Sequence, residues 1–151
     1  MFPVSNELPS AVLFACTHNA VRSPMAEGLL RYLLGHRIYV MSAGVRAGET
    51  DNFAIAAMDE MGIDISTHEP ISFQDLHDTS FDLVVSLSPE AQHQAVELTR
   101  TMAVDIEYWP TFDPSLTEGS RDQQLDSYRQ VRDSLMKRIK QRFAPPVAAN
   151  P

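Results

Sequence analysis

An α/β fold built on a parallel sheet is predicted, on three observations. Short apolar runs alternate along the chain with segments whose apolar residues recur at helical spacing, the pattern of successive βαβ units. The first run, Ala-Val-Leu-Phe-Ala at residues 11–15, lacks polar alternation, as expected of a strand buried on both faces. Pro24 and Pro89 sit where helices would open, and Gly35 and Gly62 where helices would close.

The elements follow in order. The first strand stops at Cys16. From Pro24, the residues Met25, Leu29, Leu30, Leu33 and Leu34 mark a helix, which Gly35 ends. Residues 38–41 read as a second strand, closing at Ser42-Ala43-Gly44, and a polar loop runs to about residue 52. Phe53, Ile55, Ala56, Met58 and Met61 suggest a second helix. Residues 83–87 form a third apolar strand, and a helix opens at Pro89 and runs through Ala95, Val96 and Leu98. Residues 104–109 make a fourth strand and 110–119 a loop. Leu125, Tyr128, Val131, Leu135 and Ile139 mark a long final helix. Residues 1–10 read as an N-terminal extension, 11–143 as a single domain, and 144–151 as a disordered tail. Tyr108 and Trp109 read as core or rim packing, and the charged stretches at 121–122 and 129–133 as a solvated helix face.

Composition excludes several classes. The 151 residues suffice for one ordinary domain. A net charge of −8 disfavours nucleic acid and anionic membrane as partners, since both require a basic surface. No apolar run is long enough to span a bilayer, and the N-terminus lacks the basic and apolar regions of a signal peptide, so a cytoplasmic location is expected. With a single cysteine, no intramolecular disulfide, dithiol relay or multi-cysteine metal site can form. Neither metal nor cofactor is expected.

The segment with chemical meaning is Cys16-Thr17-His18-Asn19-Ala20-Val21-Arg22-Ser23, between the first strand and a helix N-terminus. A loop of this length can curl so that its N–H groups converge on one anion, with the helix N-terminus adding free donors. Arg22 would close the ring with a fork that matches two phosphoryl oxygens. The same field favours the thiolate of Cys16, and the Ser23 hydroxyl can donate to it. A thiolate held there is a nucleophile toward tetrahedral oxyanions. An inert core cysteine is the bland alternative. The Arg six residues and the Ser seven residues further on argue against it, together with the strand before and the helix after. His18 lies inside the loop, facing solvent or flanking the pocket mouth. Releasing an ester oxygen also needs an acid, and Asp113, before Pro114 in the loop after the fourth strand, is a candidate. A simple Asp-Pro turn is the alternative.

These residues resemble the signature of the low-molecular-weight protein tyrosine phosphatases. The resemblance runs from Cys16-Thr17-His18-Asn19-Ala20-Val21-Arg22-Ser23-Pro24-Met25-Ala26-Glu27 through Ser42-Ala43-Gly44, Gly62-Ile63-Asp64-Ile65-Ser66 with His68, Phe81-Asp82-Leu83-Val84-Val85 and Asp113-Pro114. It implies a four-stranded parallel sheet flanked by helices on both faces. It also implies a phosphocysteine intermediate at Cys16, and phosphate bound by Arg22 and the loop residues Thr17, His18, Asn19, Ala20, Val21 and Ser23. In that reading Asp113 is general acid and then base, Asn19 and Ser42 hold the loop in shape, and Ser23 supports the thiolate.

The expected function is hydrolysis of phosphomonoesters of phosphotyrosine type, with a phosphoprotein as the substrate. The family also includes arsenate reductases, and His18-Asn19-Ala20 and the stretch from Asp113 to Gly119 resemble that branch. Members of that branch coupled to thioredoxin need further cysteines after the third strand; Ser88 stands where the first would lie. The alternative is therefore an arsenate reductase using an external thiol, with phosphate, arsenate or a similar oxyanion in the loop. Residues 45–50 contain no aromatic side chain to wall a phosphotyrosine ring. A non-enzymatic anion-binding module would leave the thiol without a purpose.

Overall fold

The computed structural model describes residues 8–77 and 80–143. Residues 1–7 of the expected N-terminal extension and the tail expected to be disordered, 144–151, lie outside the described residues. The chain runs β1 (Ala11–Cys16), α1 (Arg22–Leu34), β2 (Tyr39–Gly44), α2 (Asn52–Asp59), β3 (Leu83–Ser86), α3 (Pro89–Leu98), β4 (Asp105–Tyr108) and α4 (Arg121–Phe143). Single 3-10 turns lie at Phe73–Asp75 and Pro114–Leu116.

The four strands form one sheet in the order β2-β1-β3-β4, and every pairing is parallel. This is the predicted α/β class. β1 is central, and its pleat sorts its side chains in alternation. Val12, Phe14 and Cys16 face a core shared with Met25, Leu29 and Leu30 of α1, Ala54 and Met58 of α2, and Val131, Leu135 and Ile139 of α4. Leu13 and Ala15 face a smaller core, closed by Ala91 and Ala95 of α3. Both faces of β1 are thus covered, which is why its sequence lacks alternation. Each large side chain buried here contributes roughly 1.5–3 kcal/mol. The chain leaves β1 for β2 on one side and returns to β3 on the other. The carboxyl end of β1 therefore faces the crevice at the switch in strand order.

Several element ends differ from the sequence expectation. α1 begins at Arg22, two residues before Pro24, because the loop enters the helix directly. Pro24 remains within the first turn, where its missing N–H has no partner to lose. β3 and β4 are shorter than the sequence reading, at Leu83–Ser86 and Asp105–Tyr108, while β2 reaches Gly44 and α4 ends at Phe143, where the domain was expected to end. Trp109 is buried at 3% exposure, packing edge-on to Phe14 at 6.1 Å and against Phe143 at 6.3 Å. Tyr108 is turned outward.

The stretch 129–133 is not simply a solvated face. Arg129 and Arg132 both reach Glu60 just past α2, at 2.7 and 2.8 Å, and Arg132 also donates to the Ala57 carbonyl at 2.7 Å. These contacts pin α4 to α2. Among the described residues no helix is long and apolar enough to cross a membrane.

Candidate active site

Cys16 is the last residue of β1, buried at 2% exposure, and the loop that follows it leads into α1. The carbonyls of Cys16, Thr17 and His18 accept the N–H groups of Val45, Arg46 and Gly48 at 3.1, 2.9 and 2.8 Å. A trans peptide points its N–H opposite its carbonyl, so the N–H groups of Thr17, His18 and Asn19 point away from the 45–48 segment. The close packing of the two loops requires glycine at 44. A Cβ there would lie 2.7 Å from the Asn19 nitrogen.

Asn19 organises the loop from within. It is fully buried and has φ 53°, in the left-handed region, where Asn is among the more tolerant residues. Its side-chain oxygen accepts the Ile71 N–H at 2.9 Å. That contact fixes the amide orientation, because a backbone N–H can only donate. The Asn19 NH2 group then donates to Ser23 Oγ and Ser42 Oγ, both at 2.9 Å. Ser23 Oγ also lies 2.9 Å from Cys16 Sγ, where its hydroxyl can donate to a thiolate. Ser42 Oγ donates to Glu27 Oε1 at 2.5 Å, and Glu27 Oε2 is held by Arg31 at 2.5 Å. His68 Nε2 lies 3.1 Å from both the backbone and the side-chain oxygen of Asn19, so this nitrogen carries the proton. Its Nδ1 faces Glu27 Oε1 at 3.7 Å. A single chain of contacts therefore runs from Glu27 to the sulfur.

Arg22, the first residue of α1, is buried at 8% exposure. Its Nη1 donates to the Thr111 carbonyl at 3.0 Å, and its Nη2 lies 3.8 Å from Asp113 Oδ2. Asp113 caps the 3-10 turn at Pro114–Leu116, and its Oδ1 accepts from the Ser115 N–H at 3.0 Å and hydroxyl at 2.7 Å.

Cys16, His18, Ala20, Val21 and Arg22 line one side of a cavity of about 160 Å3; Gly48, Glu49, Asp51, Asp113 and Ser115 complete it. The cavity is small enough for an oxyanion and has no Phe, Tyr or Trp in its wall. A larger cavity of about 420 Å3 lies behind the loop, bounded by Glu27 and His68, and does not include Cys16.

Asp51 is locked in place. Its Oδ1 caps α2 through the Phe53 and Ala54 N–H groups, and its Oδ2 accepts the Tyr128 hydroxyl at 2.8 Å. Burial, and then the Asp51 carboxylate, push the Tyr128 phenol well above its usual range, so it stays a donor.

The structure brings Cys16, Arg22 and Asp113 to one cavity, with Ser23, Asn19 and Ser42 behind the sulfur. Ala20 and Val21 lie in the wall, and Thr17 turns away to donate to Ser88 Oγ at 3.0 Å. His18 is exposed at the mouth.

Sequence reasoning assigned nothing to Glu27, Glu49, Asp51 or the Thr111 carbonyl. Glu27 had a signal: a carboxylate among apolar residues on the face of α1 that buries Met25, Leu29 and Leu30. The Thr111 carbonyl had none, being a backbone group far along the chain. Among the described residues, no group of three or more His, Cys, Asp or Glu side chains converges as a metal site.

Four parallel strands with a lone thiol at the carboxyl end of the central one, followed by a short loop and a helix, define an α/β protein with its cysteine at the switch in strand order. The chain belongs to the low molecular weight phosphotyrosine protein phosphatase family, whose model matches residues 11–148. It is 38% identical over 135 residues to an arsenate reductase of Bacillus licheniformis, covering 88% of this chain and 94% of that one. Among solved structures it resembles an arsenate reductase in the phosphate-binding state, with a TM-score of 0.70 and 30% identity over 89% of this chain and 97% of that one. It also resembles a low molecular weight protein tyrosine phosphatase from T. tengcongensis, at a TM-score of 0.70 and 30% identity over 86% and 95%.

Proposed function

We propose that the chain reduces arsenate with an external thiol as electron donor. The observation that carries this reading is the cavity around Cys16: sized for a bare oxyanion, without aromatic walls, and reached by the chain's only cysteine. The arsenate reductase relatives support it.

In this reading the thiolate of Cys16 attacks arsenic, and Asp113 protonates the departing hydroxide to water. The loop N–H groups and Arg22 hold the remaining oxygens. A donor thiolate then attacks the Cys16 sulfur. The S–As bond breaks with its electron pair going to arsenic, which leaves as arsenite, and Cys16 is left in a mixed disulfide. A second donor thiolate attacks the donor's sulfur, releasing the donor disulfide and the Cys16 thiolate. In sum, one arsenate and two thiols give one arsenite, one disulfide and water.

A second reading, hydrolysis of phosphomonoesters, is favoured by Asp113. A carboxyl group at the cavity wall, 3.8 Å from Arg22, is where a leaving oxygen would need its proton.

One paired assay separates the two readings. Purified protein is offered arsenate with thiols of several classes, and an aryl phosphate in parallel. The reductase reading expects arsenite only with thiol, and none from Cys16→Ser. The phosphatase reading expects aryl phosphate turnover that Asp113→Asn lowers by roughly 10²–10⁴-fold. Turnover of neither substrate by the wild type would overturn both.

A further inference from the structure

An external donor has to bring its sulfur to Cys16, and the inference here rests on the reductase reading. A second cavity, of about 450 Å3, lies beside the Cys16 cavity, bounded by Thr50, Asp51, Phe53, Ala56, Arg121 and Leu125. Asp51 lines both cavities. Its carboxylate is held by α2 N–H groups and by Tyr128, so the partition between the two is fixed. The second cavity falls within the range of small-molecule sites, roughly 300–1,000 Å3.

Its lining has a definite chemistry. Phe53, Ala56 and Leu125 give an apolar floor. Arg121 lies over it, with its guanidinium carbon 5.5 Å from the Phe53 ring centroid, and meets no carboxylate among the described residues. A guanidinium resting on an aromatic face with its fork open is a receptor for a carboxylate. In the Cys16 cavity the one guanidinium, Arg22, is already engaged by the Thr111 carbonyl and Asp113, and the Asp51 carboxylate that lines both cavities is satisfied by α2 N–H groups and Tyr128, which leaves Arg121 as the open cation of the two cavities. A donor carrying a carboxylate is thereby oriented, with its acid on Arg121 and its thiol toward Cys16.

We propose that this second cavity is the donor subsite, and that it binds a low-molecular-weight thiol bearing a free carboxylate. The carboxylate pairs with Arg121, and the short aliphatic body covers Phe53 and Leu125. The thiol passes Asp51 to reach the Cys16 sulfur.

The test uses glutathione as the acidic peptide thiol, 2-mercaptoethanol as the neutral thiol, and S-methylglutathione as an unreactive analogue. Arg121→Glu is expected to raise the KM for glutathione about tenfold relative to that for 2-mercaptoethanol, and Arg121→Lys to restore most of the difference. S-methylglutathione is expected to compete with glutathione, and in NMR titration to shift amides around Phe53 and Arg121. Equal KM ratios in wild type and Arg121→Glu, or glutathione turnover that S-methylglutathione leaves unaffected, would overturn the subsite. Failure of the reductase reading looks different: no thiol yields arsenite with the wild type. The NMR titration then decides the subsite by itself, and the absence of shifts at these residues overturns it.

Discussion

Asn19 shows how much of the site depends on one side chain. A left-handed backbone, an amide that bonds both Ser23 and Ser42, and a carbonyl oxygen held by His68 all meet at this residue. Alanine there would keep the unfavourable φ and leave Ser23, Ser42 and the Ile71 N–H without their partner. Each buried group left unsatisfied costs about 1–3 kcal/mol. Asn19→Ala is therefore expected to lower thermal stability by several degrees. It is also expected to weaken phosphate binding at least tenfold, as measured by scanning calorimetry and by phosphate titration followed by NMR. A variant with wild-type stability and wild-type phosphate affinity would show that the loop holds its shape without Asn19. Asparagine inside a Cys-to-Arg loop is visible in the sequence. Its partnership with Ser42 followed from the family resemblance, whereas its bond to the Ile71 N–H, 52 residues further on, had no sequence signal.

At the scale of elements, α4 is tied to α2 by charge as well as by core packing. Arg129, and then Arg132, hold the Glu60 carboxyl down from 4.5 to about 2. The folded-state value lies below the unfolded one, so the contribution to stability is present in full above about pH 4.5. It is lost as the pH falls toward 2. Glu60 and Arg129 are each 37% exposed, so solvent screens the contact and its worth is about 1 kcal/mol or less. Wild type and Glu60→Gln are therefore expected to differ in stability at neutral pH and to converge through that acid window, by urea melts at stepped pH. A constant difference across the window would show that Glu60 acts through something other than its charge. The periodicity of α4 was legible in the sequence, and the role of its charged residues was not. Arg129 and Arg132 look like any solvated face until α2 is placed beside them.

For the whole molecule, the single cysteine sets the redox behaviour. Cys16, though buried, lines the cavity, and no second thiol exists in the chain to trap a sulfenic acid as an internal disulfide. Peroxide in the absence of external thiol is expected to carry Cys16 to sulfinic and sulfonic acid, and dithiothreitol added afterwards to restore little activity. Bound phosphate is expected to slow the loss. Mass spectrometry of the peptide containing Cys16 reads the product, and full recovery with dithiothreitol would contradict the expectation.

The parallel α/β class, the placement of Cys16 at a strand end and the presence of an anion loop followed from the sequence alone. They depend on local pattern: apolar runs, helical spacing, and the short separation between Cys16, Arg22 and Ser23. Tertiary structure decided which groups converge from afar. Asp113 and Ser42 had been assigned to the site from the sequence and the family resemblance; the tertiary structure alone brought the Thr111 carbonyl to Arg22, His68 and the Ile71 N–H to Asn19, and Arg121 to Phe53 beside the Cys16 cavity. Spacing along a chain fixes neighbours within a few residues. Contacts across 50 or more residues arise only when packing of the sheet and helices brings their elements together.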